Sequence, residues 1–159
     1  MTAHDFSFPA IDGDTLRLAD FKGKPVLIVN TASECGYTPQ YADLEQLWRK
    51  YRDRGLVVLG VPSNDFGRQE PGDEAEIMSF CTTSYGVDFP MTAKQAVIGG
   101  AAHPFYRWVV AEFGEAAAPK WNFHKYLVAP DGSLAALWPS SVKPLDPEIT
   151  AAIEEQLVK

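Results

Sequence analysis

Residues 25–41 read Pro-Val-Leu-Ile-Val-Asn-Thr-Ala-Ser-Glu-Cys-Gly-Tyr-Thr-Pro-Gln-Tyr, an apolar run, a cysteine and a helix start in succession. Pro25–Val29 is an unbroken apolar run rich in β-formers, the pattern of a strand covered on both faces. Thr38 and Pro39 then mark a helix start: a hydroxyl at the N-cap, followed by a proline where the missing N–H costs nothing. Leu44, Leu47, Trp48 and Tyr51 recur at helical spacing, Gly55 is placed to stop the helix, and Leu56–Val61 is a second apolar run. Strand, helix and strand in that order predict a βαβ unit. Cys35 falls outside the C-terminal end of the first strand, at the mouth of the helix it feeds. In open α/β sheets that crevice is where sites form.

Working outward, Phe6–Phe8 and Leu16–Leu18 flank Asp12-Gly-Asp and predict an N-terminal β-hairpin. A polar loop, Ser63–Gly72, leads to the capping box Asp73-Glu-Ala-Glu76. The helix it opens carries Ile77, Phe80 and Cys81 on one face and is expected to decay over Thr82–Gly86. Another helix starts at Pro104 and turns Phe105, Trp108 and Val109 inward before Gly114. Lys125–Ala129 and Ser133–Trp138 flank Pro130-Asp-Gly as a second hairpin, and Asp146-Pro147 opens a last helix with Ile149, Ile153 and Leu157 inward. The order predicts an α/β fold, a mixed sheet between helices, in one domain over residues 1–159. There are no internal repeats or linkers.

Composition excludes several functions. A net charge of -7 argues against a nucleic-acid surface, and no basic run suits anionic lipid. Pro25–Val29 and Leu56–Pro62, the longest apolar runs, are far too short to span a bilayer, so no stable membrane insertion is expected. Met1–Phe6 shows neither the basic start nor the apolar core of a signal peptide. Two cysteines are too few for a disulfide framework and point to chemistry or to core packing in a reducing cytoplasm.

Cys35 favours chemistry. A free thiol is only a few per cent thiolate at neutral pH, and the N–H groups and dipole of a helix start favour the anion. Glu34, Gly36 and Tyr37 are not a core environment, although a buried structural cysteine is the other reading. A thioredoxin-type dithiol would repeat cysteine three residues on, where this chain has Thr38. A lone thiolate suits acyl transfer or attack on an electrophilic oxygen. Acyl transfer wants an imidazole base, and none of His4, His103 and His124 stands in an evident catalytic setting.

Three segments together resemble the glutathione peroxidases. Asn30–Tyr41 is similar to the segment holding that family's peroxidatic residue, here Cys35 where some members use selenocysteine. Asn64-Asp-Phe-Gly-Arg-Gln-Glu-Pro-Gly72 is similar to the motif of its catalytic glutamine, which falls on Gln69. Trp121-Asn-Phe-His-Lys-Tyr-Leu-Val128 resembles the motif giving the catalytic tryptophan and asparagine, Trp121 and Asn122. The resemblance runs over about residues 5–158 and implies a thioredoxin-like fold and reduction of hydrogen peroxide and organic hydroperoxides. Thiolate attack on an O–O bond moves charge from sulfur to the leaving oxygen, and indole and carboxamide N–H groups can donate at both places.

Two departures from the family stand out. Ser63 stands where many members carry a cysteine, and the segment Gly114–Lys120 is short where tetrameric members carry an assembly insertion, which implies a monomer. Cys81 lies near the place where thioredoxin-using members carry a resolving cysteine, although from its residues alone it equally well packs a core. The resemblance therefore implies no bound cofactor or metal, a hydroperoxide substrate, and thioredoxin, or else glutathione, as reducing co-substrate. The alternatives are a one-cysteine enzyme recycled by glutathione, and a peroxide sensor that passes its oxidation to a partner protein.

Overall fold

A computed structural model describes residues 1–157. The chain opens with the hairpin of β1 (Ser7–Pro9) and β2 (Thr15–Arg17), then β3 (Val26–Thr31), α1 (Gln40–Tyr51), β4 (Val57–Pro62) and α2 (Glu74–Tyr85). It continues with α3 (Pro104–Phe113), β5 (Lys125–Val128), β6 (Leu134–Trp138) and α4 (Pro147–Gln156). The main sheet has the order β4-β3-β5-β6, with β3 parallel to β4 and antiparallel to β5, and β5 antiparallel to β6. All residues of β3, β4 and β5 are buried, as runs covered on both faces require.

Alternation along the strands feeds two cores. Leu27, Val29, Val58 and Leu127 point to the side of α1, α2 and α4, where Leu44, Leu47, Ile77, Ile149 and Ile153 meet them. Val26, Ile28, Leu59 and Tyr126 point to the other side, under α3 and the N-terminal hairpin, with Phe8, Phe105 and Val109. The sheet with its flanking helices and N-terminal hairpin is a thioredoxin-like fold.

Two local expectations are corrected. Thr38 does not cap α1: the helix begins at Gln40, Pro39 occupies the N-cap position without a side-chain bond, and the Thr38 hydroxyl is turned back toward Cys35. And α2 does not decay at Thr82. Its Asp73–Glu76 capping box forms as expected, and the helix runs to Tyr85, where Gly86 in the left-handed region (φ +61°) closes it with a bond to the Thr82 carbonyl.

Candidate active site

The turn between β3 and α1 is built around the Thr38 hydroxyl, which accepts from the Cys35 N–H at 2.9 Å and donates to the Ala32 carbonyl at 2.8 Å. A short side chain bonding its own loop is the ordinary use of threonine in a turn. The turn aims the Tyr37 N–H at Cys35 Sγ, 3.3 Å away, a donor that gains strength when the sulfur is an anion. Cys35 is 7% exposed, buried in the α1-side core with a small opening to solvent.

Gln69 arrives from the loop after β4. The Glu34 N–H donates to the Gln69 carbonyl at 3.0 Å, pinning this loop to the residue before Cys35. Asn64 accepts the Glu70 N–H at 3.0 Å and closes the loop on itself. Gly67 (φ +68°) and Arg68 (φ +54°) are successive left-handed residues, a bend that is strained for arginine. A Cβ on Gly67 would stand 3.0 Å from the outer edge of the Trp121 ring and 3.4 Å from Gln69 Cδ. Glycine lets indole and carboxamide close in over the bend.

Trp121 and Asn122 precede β5. The Asn30 amide donates to the Trp121 carbonyl at 3.0 Å, while its own carbonyl accepts the Phe123 N–H at 2.6 Å. Asn122 is fully buried, and its amide donates to Gln69 Oε1 at 3.0 Å and to the Phe66 carbonyl at 3.3 Å. Trp121 is 36% exposed and packs beside Phe66, ring centres 5.7 Å apart. Asn122 thus binds Gln69, Trp121 precedes it and lies over the same Gly67 bend, and the Glu34–Gln69 backbone bond ties the loop to the Cys35 turn.

Cys81 stands apart on α2. It is a free thiol, as is Cys35, and is sealed in the same core. Burial pushes its thiol up to about 11; the Tyr41 hydroxyl offsets part of this and the Glu70 charge adds to it. Two of the three histidines lie on the other side of the sheet. His103 caps α3 through its ring, and His124 packs against Tyr126, which faces the α3-side core, away from Cys35. Burial, aided by Lys125 and Lys120, brings His124 down to about 4 and keeps it neutral. Among the described residues no group of three or more His, Cys, Asp or Glu is placed to hold a metal ion, and no helix is long and apolar enough to cross a membrane.

Sequence reading missed Asn30, Thr38 and Gly67. Asn30 carried a signal, a carboxamide next to the end of a buried strand, Thr38 carried one that suits a cap as well as a turn, and Gly67 carried none.

The glutathione peroxidase family model matches residues 3–110. The chain belongs to the glutathione peroxidase family. It is 46% identical over 164 residues to the hydroperoxy fatty acid reductase gpx1 of Synechocystis, covering 98% of this chain and 96% of that protein. It is 39% identical over 171 residues to the thioredoxin/glutathione peroxidase BtuE of Escherichia coli, covering 94% and 93%. The solved apo structure of Trgpx superposes with a TM-score of 0.77 at 34% identity, covering 98% of this chain and 95% of that one. Like its family, the chain is a peroxidase that draws its electrons from thiols.

Proposed function

We propose that Cys35 is the peroxidatic residue, that Gln69, Trp121 and Asn122 are its donor group, and that Cys81 resolves the oxidised sulfur for thioredoxin. The observation that carries the reading is the contact of Gln69 with Asn122, Trp121 beside them, on a loop pinned to Glu34. The Cys35 thiolate attacks the terminal oxygen of a hydroperoxide. The O–O bond breaks, the alkoxide or hydroxide leaves and takes up the proton that the thiol gave up on ionising, and the sulfur becomes a sulfenic acid. Uncharged donors stabilise both the thiolate and the leaving oxygen without a tight ion pair.

The sulfenic acid then accepts attack by Cys81, forming a Cys35–Cys81 disulfide and releasing water, and a dithiol reductant exchanges with that disulfide. The burial that holds the Cys81 thiol near 11 keeps it protonated while α2 is folded. Local opening of α2 would free it in reach of Cys35. The hydroperoxy fatty acid reductase and the thioredoxin/glutathione peroxidase among the relatives support lipid-like hydroperoxides as substrates and a thiol donor of the thioredoxin or glutathione kind. We also read the chain as one domain, monomeric given its short Gly114–Lys120 segment, and suited by its free thiols to a reducing compartment such as the cytoplasm.

The same burial favours a second reading, in which Cys81 never leaves the core and a small thiol such as glutathione reduces Cys35 directly. One equivalent of peroxide, followed by peptide mapping, separates the two. An intramolecular disulfide with faster turnover on thioredoxin than on glutathione supports resolution by Cys81. A Cys81 that remains a free thiol sinks it. Oxidation without turnover on either donor would make the chain a sensor.

A further inference from the structure

Lys125 is out of place for its residue type. It lies in β5, fully buried, between Val29 of β3 and Trp138 of β6, and lysine is among the residues least often found inside. It takes part in none of the three ion pairs among the described residues. Its Nζ instead donates to two backbone carbonyls, Phe123 at 2.6 Å and Ser140 at 3.4 Å. Burial alone pulls its pKa down to about 7, so the ammonium is held there at a cost that a leucine or methionine would not incur.

The two carbonyls explain what that cost secures. Phe123 is a left-handed non-glycine residue (φ +66°), directly after Trp121 and Asn122. Its N–H is taken by the Asn30 carbonyl at the end of β3, and its own carbonyl is taken by Lys125. Both sides of the strained residue are therefore pinned. The Ser140 carbonyl also accepts the Gln40 side-chain amide at 2.8 Å, and Gln40 is the first residue of α1. One buried cation thus touches the turn that carries Trp121 and Asn122, and a carbonyl shared with the helix that Cys35 precedes.

We infer that Lys125 is a positioning residue of the peroxidase site: its ammonium grips the Phe123 carbonyl and fixes the turn that presents Trp121 and Asn122 to Cys35. This rests on the donor role proposed for those two residues. Lys125 donates to the Phe123 and Ser140 carbonyls and acts through the turn.

The test uses two reactions of the same sulfur in the full-length reduced protein at about pH 6. Oxidation of Cys35 by hydrogen peroxide needs the donors at both the thiolate and the leaving oxygen, whereas alkylation of Cys35 by iodoacetamide draws on them at the thiolate alone. Lys125→Met should slow oxidation about tenfold or more, since small misplacements of reacting groups cost on that scale, and slow alkylation several-fold less. Lys125→Arg, which keeps a cation able to donate to both carbonyls, should recover a large part of the loss. If the methionine variant does not fold by near-ultraviolet circular dichroism, Lys125→Gln is measured by the same pair of reactions.

Oxidation at the wild-type rate in a folded neutral variant overturns the inference, as does a parallel loss of both reactions. Asn122→Ala and Trp121→Phe run beside it separate the two readings. If they slow oxidation and the Lys125 variants do not, the lysine inference alone fails. If they too oxidise at the wild-type rate, the donor role itself is wrong.

Discussion

Helices α1 and α2 are each twelve residues long, and each governs one of the two cysteines, yet they are held by very different means. α1 buries Gln40, Tyr41, Leu44, Glu45, Leu47 and Tyr51, and its buried Glu45 carboxylate accepts the Asp88 N–H at 2.7 Å while pairing with Arg49. α2 buries only Ile77 and Cys81, with Phe80 and Tyr85 partly covered. At roughly 1.5–3 kcal/mol for each large apolar side chain removed from water, α1 is anchored by several kcal/mol more than α2. The platform for Cys35 is rigid, and the helix of Cys81 has one large aliphatic side chain fully in the core. The labour is divided between the helices: one thiol must be held to react, the other must be free to leave.

The largest effect should come from removing the held thiol. Cys35→Ser should abolish peroxide reduction in a folded protein, because a hydroxyl is a far weaker nucleophile than a thiolate; retained turnover would end the assignment. Cys81→Ser should leave the first oxidation near the wild-type rate while steady turnover with thioredoxin collapses and sulfinic acid accumulates, as mass spectrometry would record. Normal turnover in that variant would erase the contrast between the helices.

Next in size, Gln69→Ala, Asn122→Ala and Trp121→Ala should each slow Cys35 oxidation, by up to about a hundredfold, in rapid-mixing experiments. Smaller still is the stability gap between the helices. Amide exchange should be faster in α2 than in α1 in the reduced protein, and oxidation should speed it further over residues 77–86. Equal protection of the two helices in both states would show that Cys81 is not released by opening.

The last effect bears on β5, outside either helix. His124 has a folded pKa of about 4, below its ordinary value of 6.5, so the unfolded chain binds its proton first. Its contribution to stability is present above 6.5 and is lost as pH falls toward 4, to a total of about 3 kcal/mol. His124→Phe should flatten that part of the pH profile in thermal unfolding. Lys125 acts with the same sign, but only above about 7.

Much of this was legible in residue order. The aliphatic runs gave β3 and β4, Asp73 and Glu76 gave the start of α2, and Pro130-Asp-Gly gave the second hairpin, because each is a local signal with a local cause. The placement of Gln69 against Asn122 was reached only through the motif resemblance, since 53 residues separate them and no periodicity links them. Thr38 misled because a hydroxyl before proline suits a cap and a turn equally, and only the path of the chain decides which N–H it meets. The tail of α2 misled because intrinsic propensity counted against Thr82, Thr83 and Ser84, whereas a glycine stop and the packing of Tyr85 carried the helix through. Lys125 gave no warning: it is the first residue of β5, and a lysine at the end of a strand ordinarily reaches solvent.

Gly67 shows how such a site constrains inheritance. It has no functional group, yet its backbone is left-handed and any side chain would press on the Trp121 ring from 3.0 Å. In a library carrying every amino acid at every position, selected for survival under peroxide, position 67 should be emptied of variants nearly as thoroughly as position 35. A geneticist reading that depletion alone would count a reactive residue there. What the selection would have detected is a shape, a space kept vacant beneath an indole ring.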